Sequence, residues 1–331
     1  MSSANPVPET TGLITGEDAF ETIHSAGAKT LLRDGFQRLR VADGFSHSRA
    51  MAFQLVLALI PGTIVLVAVA SELRWDSLSD AIIRSVEALA PGPAGDVFRE
   101  AFGQGEDAGR AGSGWTALSV AGPALLIAGT TAFGQVERTA NRIYGIEADR
   151  APVQKYSFAA LMMLSAGTLA VLYFLVLGLG SNWVGDVGDS PWAIVWWIVR
   201  WPVGLGLLAG AIALVFKMSP RRNQPPMSWL AFGAAVSVVG TLIVSLLLTI
   251  YLTASGGFGE TYGALAGFMG VLLWAYGSSI ALFYGLACAA QLEAIRAGVA
   301  APRDEAKVSE SEPDAVLVPY GTAAMHPGGS T

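Results

Sequence analysis

The stretch that decides the fold is residues 50–71, which read AMAFQLVLALIPGTIVLVAVAS and contain no charged side chain. A bilayer core of about 30 Å is crossed by roughly 20 apolar residues in an α-helix, so this stretch is long enough to span a membrane. Five more stretches share its character: 115–133, 157–179, 194–218, 229–252 and 263–291. The sequence therefore predicts an all-α polytopic membrane protein with six transmembrane helices.

The composition agrees with a membrane protein and excludes other classes. Hydrophobic residues make up 53% of the chain and charged residues 14%, less than in a typical soluble domain. The net charge of −6 and the position of the basic residues near span ends argue against a nucleic-acid-binding protein, which would carry a basic stripe. Cys288 is the single cysteine, so the chain forms no intramolecular disulfide.

Lysine and arginine residues lie mainly on alternate connections between the spans. Fifteen of the 20 fall in the N-terminal segment, in the second-to-third and fourth-to-fifth connections, and in the C-terminal tail. Four others lie in the acidic connection 72–114. By the positive-inside rule, both termini are predicted to be cytoplasmic.

The segments outside the spans divide the chain into three parts. Residues 1–49 form a cytoplasmic segment in which 1–14 are expected to be disordered and 26–41 to form a basic amphipathic helix. That helix, with Leu32, Phe36 and Leu39 on its apolar face, either lies in the membrane interface or packs under the spans. Residues 50–295 form the membrane domain, with a small helical outer loop at 72–114. Residues 296–331 are expected to be a disordered tail.

Polar residues inside the spans are the candidates for function, because each needs a partner in the bilayer. In the fifth span Ser237, Thr241, Ser245 and Thr249 recur every four residues and form one slanting stripe. The stripe either allows close helix packing or lines a polar pathway.

Arg200 is the one charged residue well inside a predicted span, and four tryptophans lie near it. An isolated charge at the bilayer centre costs roughly 2.5–3.5 kcal/mol on insertion scales. Two interpretations remain open. Arg200 snorkels to the outer interface, or it faces inward with Ser237, Thr241 and Ser245 and binds an anionic headgroup.

Residue patterns typical of catalysis, metal binding or cofactor binding are missing from the sequence. The histidines are His24, His47 and His326, and none lies inside a span or at metal-ligand spacing. There is no H-E-x-x-H motif and no P-loop. We therefore expect a protein that is not an enzyme and that has no cofactor and no metal.

Three segments, in order, resemble the YihY/BrkB family of inner-membrane proteins, including its YhjD-like envelope-integrity branch. They are the first span with Pro61, the segment GQVERTANRIYG at 134–145, and YGALAGFMGVLLWAY at 262–276. The resemblance covers about residues 50–295. It departs where the family's last span ends Gly-Ala-Glu and this chain has Ala289-Ala290-Gln291.

The resemblance implies a six-span protein of the bacterial inner membrane with a role in moving or organising envelope lipids. Some labels for the family say ribonuclease. The sequence argues against that activity, because it shows neither a metal cluster nor a basic groove. Asn141 and Arg142, just past the second span, are expected to form an ordered elbow, with Arg142 able to reach a lipid phosphate.

The sequence and the resemblance lead to two functional hypotheses. The first is transport or flipping of a lipid or amphiphile, with Arg200, Ser237, Thr241, Ser245, Asn141 and Arg142 as candidate substrate-binding residues. The second is a non-transporting envelope-integrity scaffold. The expected partners are membrane lipids, further copies of the chain or other envelope proteins, and not nucleic acid.

The predicted topology can be tested by cysteine labelling in intact cells. In a Cys288→Ser background, cysteines placed at Ser113 and Asn223 should react with an impermeant reagent from opposite sides, with position 113 outside. The reason is the asymmetric distribution of basic residues on the connections. Labelling of both positions from the same side would contradict the six-span topology.

Overall fold

Each apolar stretch that was predicted to span a membrane forms a helix in the computed structural model, which describes residues 4–10, 14–72, 114–187, 191–254, 265–299 and 301–302. Six helical segments are long and apolar enough to cross a bilayer within these residues. The described residues form helices joined by irregular segments, without strands. The prediction of an all-α, six-span protein is confirmed. The predicted outer cap and C-terminal tail fall mostly on 73–113 and 303–331, outside the described residues.

The described helices follow one another along the chain. Two short helices precede the spans, α1 (Gly16–Ala26) and α2 (Ala28–Val41). The spans are α3 (Gly44–Glu72), α4 (Gly114–Tyr144), α5 (Pro152–Met162) joined to α6 (Thr168–Val187) through a π-helical turn at Met163–Gly167, α7 (Pro191–Met218), α8 (Met227–Ala254) and α9 (Leu265–Arg296).

Neighbouring spans form a closed ring. Helix α3 packs on α4, α4 on α5, α6 on α7, α7 on α8, and α8 on α9, which returns to pack on α3. Helix α2 also packs on α9. We call the end of the ring that carries residues 4–10, α1, α2 and the connections 145–151 and 219–226 the polar end.

Burial differs strongly between the two halves of the ring. At the polar end Phe216, Trp229 and Phe283 are fully buried in one apolar core. In the other half, none of residues 168–177, 194–203 and 239–251 is buried. Helix α3 does keep Val67 and Ala68 buried there. Packing is therefore loose on the side formed by α6, α7 and α8.

Residues 4–10 correct the expectation of a disordered N-terminus. They lie extended across the polar end, where the N–H groups of Ala4 and Val7 donate to the carbonyl oxygens of Arg142 (3.3 Å) and Tyr144 (3.1 Å). Ala4 and Val7 are buried. Their backbone partners come from helix ends far along the chain, which local composition does not reveal.

Helix α2 has two differently used faces. It buries Leu31 and Leu39 and sets Gly35 directly against Cys288 of α9. Leu32 and Phe36, which were predicted to share a face with Leu39, remain exposed. Helix α2 therefore packs against the bundle through the face that carries Leu31 and Leu39. The face that carries Leu32 and Phe36 is exposed.

Helices α8 and α9 approach each other most closely at glycines. A Cβ atom at Gly285 would overlap the carbonyl oxygen of Gly233 and the hydroxyl of Ser237. Gly206 and Gly210 have the four-residue spacing of packing glycines, but a Cβ at either position meets no atom within 4 Å. Close packing therefore depends on Gly233 and Gly285, and the Gly206/Gly210 spacing is incidental.

We predict that Gly285→Ala lowers the melting temperature of the detergent-solubilised protein, because the added methyl group must push α8 and α9 apart at a cost of about 1–3 kcal/mol. Gly206→Ala is the matched control. It adds the same methyl group to open space in a helix and should leave stability unchanged or slightly raised. Equal melting temperatures for the two variants would contradict the close contact.

Candidate functional site

The end of α4 is held in place by Asn141. Its side-chain amide donates to Asp149 Oδ1 (3.0 Å), and its side-chain oxygen accepts the backbone N–H of Arg221 (2.9 Å). Helix α4 continues through Tyr144 and stops at Gly145, whose φ of +72° is the left-handed conformation that favours glycine. Asn141, Arg142 and Tyr144, which were predicted just past the second span, form the last turn of the helix itself, and Asn141 joins two connections of the polar end.

Asp149 keeps its negative charge through the same contacts. Partial burial acts to raise its pKa, but hydrogen bonds from Asn141 and Lys155 outweigh this and hold the pKa below its usual value. The stabilisation that these contacts give is present above pH 3.8, the usual pKa of the group, and is lost as the pH falls through the lower folded pKa.

Two carboxylates at the polar end are buried and paired with arginines. Glu137 of α4 is fully buried, and its Oε1 lies 3.2 Å from Nη1 of Arg150. Arg150 also donates to the carbonyl oxygens of Ser219 (3.0 Å) and Pro220 (3.1 Å). This pair therefore holds the 145–151 connection against the end of α7.

The second pair joins Glu293 of α9 to Arg222. The guanidinium of Arg222 also lies 4.7 Å from the centre of the Tyr144 ring and donates to the carbonyl oxygen of Val7 (2.9 Å). The hydroxyl of Thr10 donates to Glu293. Glu293 thus anchors the 219–226 connection and the N-terminal segment to α9.

Arg38 is a third buried cation, and the sequence did not single it out. It is 0% exposed, and its Nε donates to Gln291 Oε1 at 2.8 Å. Its Nη1 donates to the carbonyl oxygens of Asn5 (3.0 Å) and Ile143 (3.1 Å). Burial lowers its pKa from 12.5 to about 10. The signal that was available is Gln291, which stands where the resembling family carries a glutamate.

These contacts close the polar end of the ring. Burial of an ion pair costs desolvation energy that the attraction of the charges only partly offsets, so such pairs give geometric precision more than stability. The Glu137 and Glu293 carboxylates are oriented by arginines. Among the residues that the structure describes, no three or more His, Cys, Asp or Glu side chains are placed to hold a metal ion.

The hydroxyl stripe of α8 is used in packing against α9. Ser237 is fully buried and donates to the carbonyl oxygen of Leu282 (3.3 Å). Ser245 donates to the carbonyl oxygen of Thr241 (2.9 Å) and accepts from Trp274 Nε1 (3.0 Å). Ser237 and Ser245 therefore fit the interpretation that the stripe serves helix packing.

Arg200 lies on α7 beside two tryptophans of the same helix. Its guanidinium carbon is 5.8 Å and 5.7 Å from the ring centres of Trp197 and Trp201, its neighbours on α7. Arg200 is half-buried, whereas both tryptophans are exposed. Its Nε is buried and makes no hydrogen bond within the described part of the chain. A common site of Arg200 with Ser237, Thr241 and Ser245 stays a prediction.

Asn141 and Arg142 belong to the polar end. Asn141 is 1% exposed, and its side chain is occupied by its contacts at the end of α4. Arg142 is half-buried, and its carbonyl oxygen accepts the N–H groups of Ala4 and Gly145. Arg200 lies about 27 Å along α7 from Met218 at the polar end, at 1.5 Å per residue, so Asn141 and Arg142 are remote from it.

We predict that Glu293→Gln destabilises the protein by about 3–5 kcal/mol, because it leaves the charge of Arg222 buried without its partner. Arg138→Gln is the control. Arg138 is exposed, and its ion pair with Asp149 is long, at 4.0 Å, and solvated, so its loss should cost little. Thermal unfolding in detergent measures both. A loss for Glu293→Gln no larger than that for Arg138→Gln would contradict the structural role of the buried pair.

Known proteins resemble this chain along most of its length. A family model described as Virulence factor BrkB matches residues 35–310. The chain is 24% identical to the Putative ribonuclease-like protein YfkH of Bacillus subtilis over 262 residues, which are 77% of this chain and 92% of that protein. It is 26% identical to a UPF0761 membrane protein of Xanthomonas oryzae over 270 residues, 76% of this chain and 58% of the relative.

The chain therefore spans somewhat over half the length of the Xanthomonas relative. No solved structure matches it. The family match, the six spans and the ordered segment 134–145 agree with one another. The chain belongs to the BrkB family of bacterial multi-pass membrane proteins.

Proposed function

We propose that this protein moves a lipid or a lipid-like amphiphile across part of the bilayer. The observation that supports the proposal is the contrast within the ring: the polar end is closed by buried ion pairs, and the other half is loosely packed. A carrier of amphiphiles needs room for a molecule in one half and a barrier in the other. Residues 168–177, 194–203 and 239–251, none of them buried, border the region where such a molecule would enter.

Arg200 is the proposed headgroup-binding residue. It lies within 194–203, in the loosely packed half, and its buried Nε has no hydrogen-bond partner within the described residues. A phosphate oxygen would supply that partner and would neutralise the charge, as arginine binds phosphate through two parallel hydrogen bonds. We no longer include Ser237 in this site, because its hydroxyl is buried between α8 and α9.

The proposal also includes the orientation of the protein in the membrane and whether it carries out a reaction. The polar end is placed on the cytoplasmic side of the inner membrane, because basic residues are concentrated on its connections. No enzymatic step is proposed, since Glu137 and Glu293 are oriented by arginines rather than directed into a cavity.

The scaffold remains the second candidate, and one observation favours it. Large apolar side chains of α7 and α8 are exposed, among them Ile198, Val239, Leu246 and Leu247. An exposed apolar face in a membrane contacts either lipid or another helix. A scaffold would use this face for partner helices and would need no transport.

The test is lipid movement in liposomes that contain the purified protein. Fluorescent phosphatidylglycerol in the inner leaflet should become accessible to an external quencher faster than in protein-free liposomes. Arg200→Gln should slow this by about tenfold, the effect of losing a charge-assisted hydrogen bond. Arg200→Lys should slow it less, because the charge is kept while the two-pronged geometry is lost.

Arg138→Gln removes an exposed charge from the polar end and serves as the control. A wild-type rate equal to that of empty liposomes would reject transport and favour the scaffold. Transport that is unaffected by Arg200→Gln would reject the proposed role of Arg200 alone.

A further inference from the structure

A groove runs between α2 and α9 on the outside of the ring, near the polar end. Its volume is about 580 Å³. Its floor is apolar, formed by Leu32, Phe36 and Leu39 of α2 and by Ile280 and Tyr284 of α9. Its edge carries Arg33, Gln37 and Arg40. The groove is therefore apolar inside and positively charged on one side.

Contacts around Phe36 give the groove a defined shape. The Phe36 ring packs edge-on against Phe45 at 6.0 Å and against Tyr284 at 6.3 Å between ring centres. The Tyr284 hydroxyl donates to the carbonyl oxygen of Leu32 at 3.0 Å. Gly35 sits directly on Cys288. Helix α2 is thus held against α9 along one face, while Leu32 and Phe36 stay exposed at the groove.

The groove lies near the ends of the first and last spans. Phe45, which touches Phe36, is the second residue of the first span, Gly44–Val69. On α9, Tyr284 is about 18 Å from Arg296 at the helix end, at 1.5 Å per residue. Tyr284, Cys288 and Gln291 of α9 meet Leu32, Gly35 and Arg38 in turn, so α2 runs alongside the end of this spanning helix. The apolar floor therefore lies on the outside of the ring, beside the cytoplasmic ends of the spans in the proposed orientation.

The charges on the groove edge select one class of lipid. Arg33 and Arg40 are exposed, and neither is paired with a carboxylate within the described residues. Asp34, the acidic residue of α2, is not among the residues that line the groove. Two unpaired guanidinium groups next to an apolar floor complement a phosphate that is attached to acyl chains.

We propose that the α2–α9 groove is a binding site for an anionic phospholipid. One acyl chain lies along Leu32, Phe36 and Ile280, and the phosphate lies between Arg33 and Arg40. This lipid is a bound partner that holds α2 on the ring, distinct from the transported molecule proposed above, and the site does not depend on transport.

Native mass spectrometry of the full-length protein in detergent tests the site, with phosphatidylglycerol and phosphatidylcholine as the two probes. The wild type should retain phosphatidylglycerol preferentially. The double variant Arg33→Gln/Arg40→Gln should bind it about 25-fold more weakly, since each arginine contributes roughly fivefold near an anionic headgroup. Phosphatidylcholine binding should change little.

The control is Arg49→Gln/Arg138→Gln, which removes two exposed charges of the polar end away from the groove. It should bind phosphatidylglycerol like the wild type. Leu32→Trp fills the groove without changing the charge and should weaken binding of both lipids. Unfolding measured on each variant separates lost binding from lost folding.

Three results would overturn the proposal. The first is equal retention of the two lipids by the wild type, which would mean ordinary annular contact. The second is an equal loss in the double variant and its control. The third is a lipid-free dimer that Leu32→Trp dissociates, which would make the groove a contact between copies. Because no flux is measured, failure here leaves the transport proposal standing, and failure of transport leaves this site standing.

Discussion

A buried charge must find its partner inside the protein, and the polar end of this bundle is organised around that constraint. Arg222 and Glu293 form one buried pair, and Arg150 and Glu137 form another. Each arginine also donates to backbone carbonyl oxygens of a connection or of the N-terminal segment. Removal of one member would leave a charge without compensation, so these contacts hold four parts of the chain in a single arrangement.

Arg38 shows how the same constraint is met without a carboxylate. Three oxygens, from Gln291, Asn5 and Ile143, surround its guanidinium. Because those oxygens are dipoles rather than charges, they compensate burial less fully, which is consistent with a pKa lowered to about 10. Arg38 therefore ties α2, α4, α9 and the N-terminal segment together at a single point.

Packing is tight on one side of the ring and loose on the other. Glycines at 233 and 285 let α8 and α9 approach closely and form a rigid element that begins at the polar end. On the opposite side, α6 and α7 lack buried residues over 168–177 and 194–203. A membrane protein can tolerate this loose packing, because lipid or a bound amphiphile occupies the space that a soluble core would have to fill. The proposal of transport rests on this tolerance.

Helix α2 contributes to both the closed polar end and the open groove. One face contributes Arg38 to the closed polar end, and the other contributes Leu32 and Phe36 to an open groove beside two arginines. The division follows from helical spacing, since residues 31, 35, 38 and 39 lie on one side and residues 32, 33, 36 and 40 on the other.

The sequence alone determined the number and position of the spans, because a bilayer requires about 20 apolar residues for each crossing, and that is a local property. It also singled out residues 141–145, although these form the last turn and the end of α4 rather than a segment after it. It did not determine the partners of Arg38, Glu137 and Glu293, the order of residues 4–10 or the packing glycines. Those depend on contacts between residues far apart in the chain, 253 positions for Arg38 and Gln291 and 283 for Thr10 and Glu293. Hydropathy records how apolar a residue's neighbours in the chain are, whereas only the tertiary structure decides which side chain meets which across the bundle.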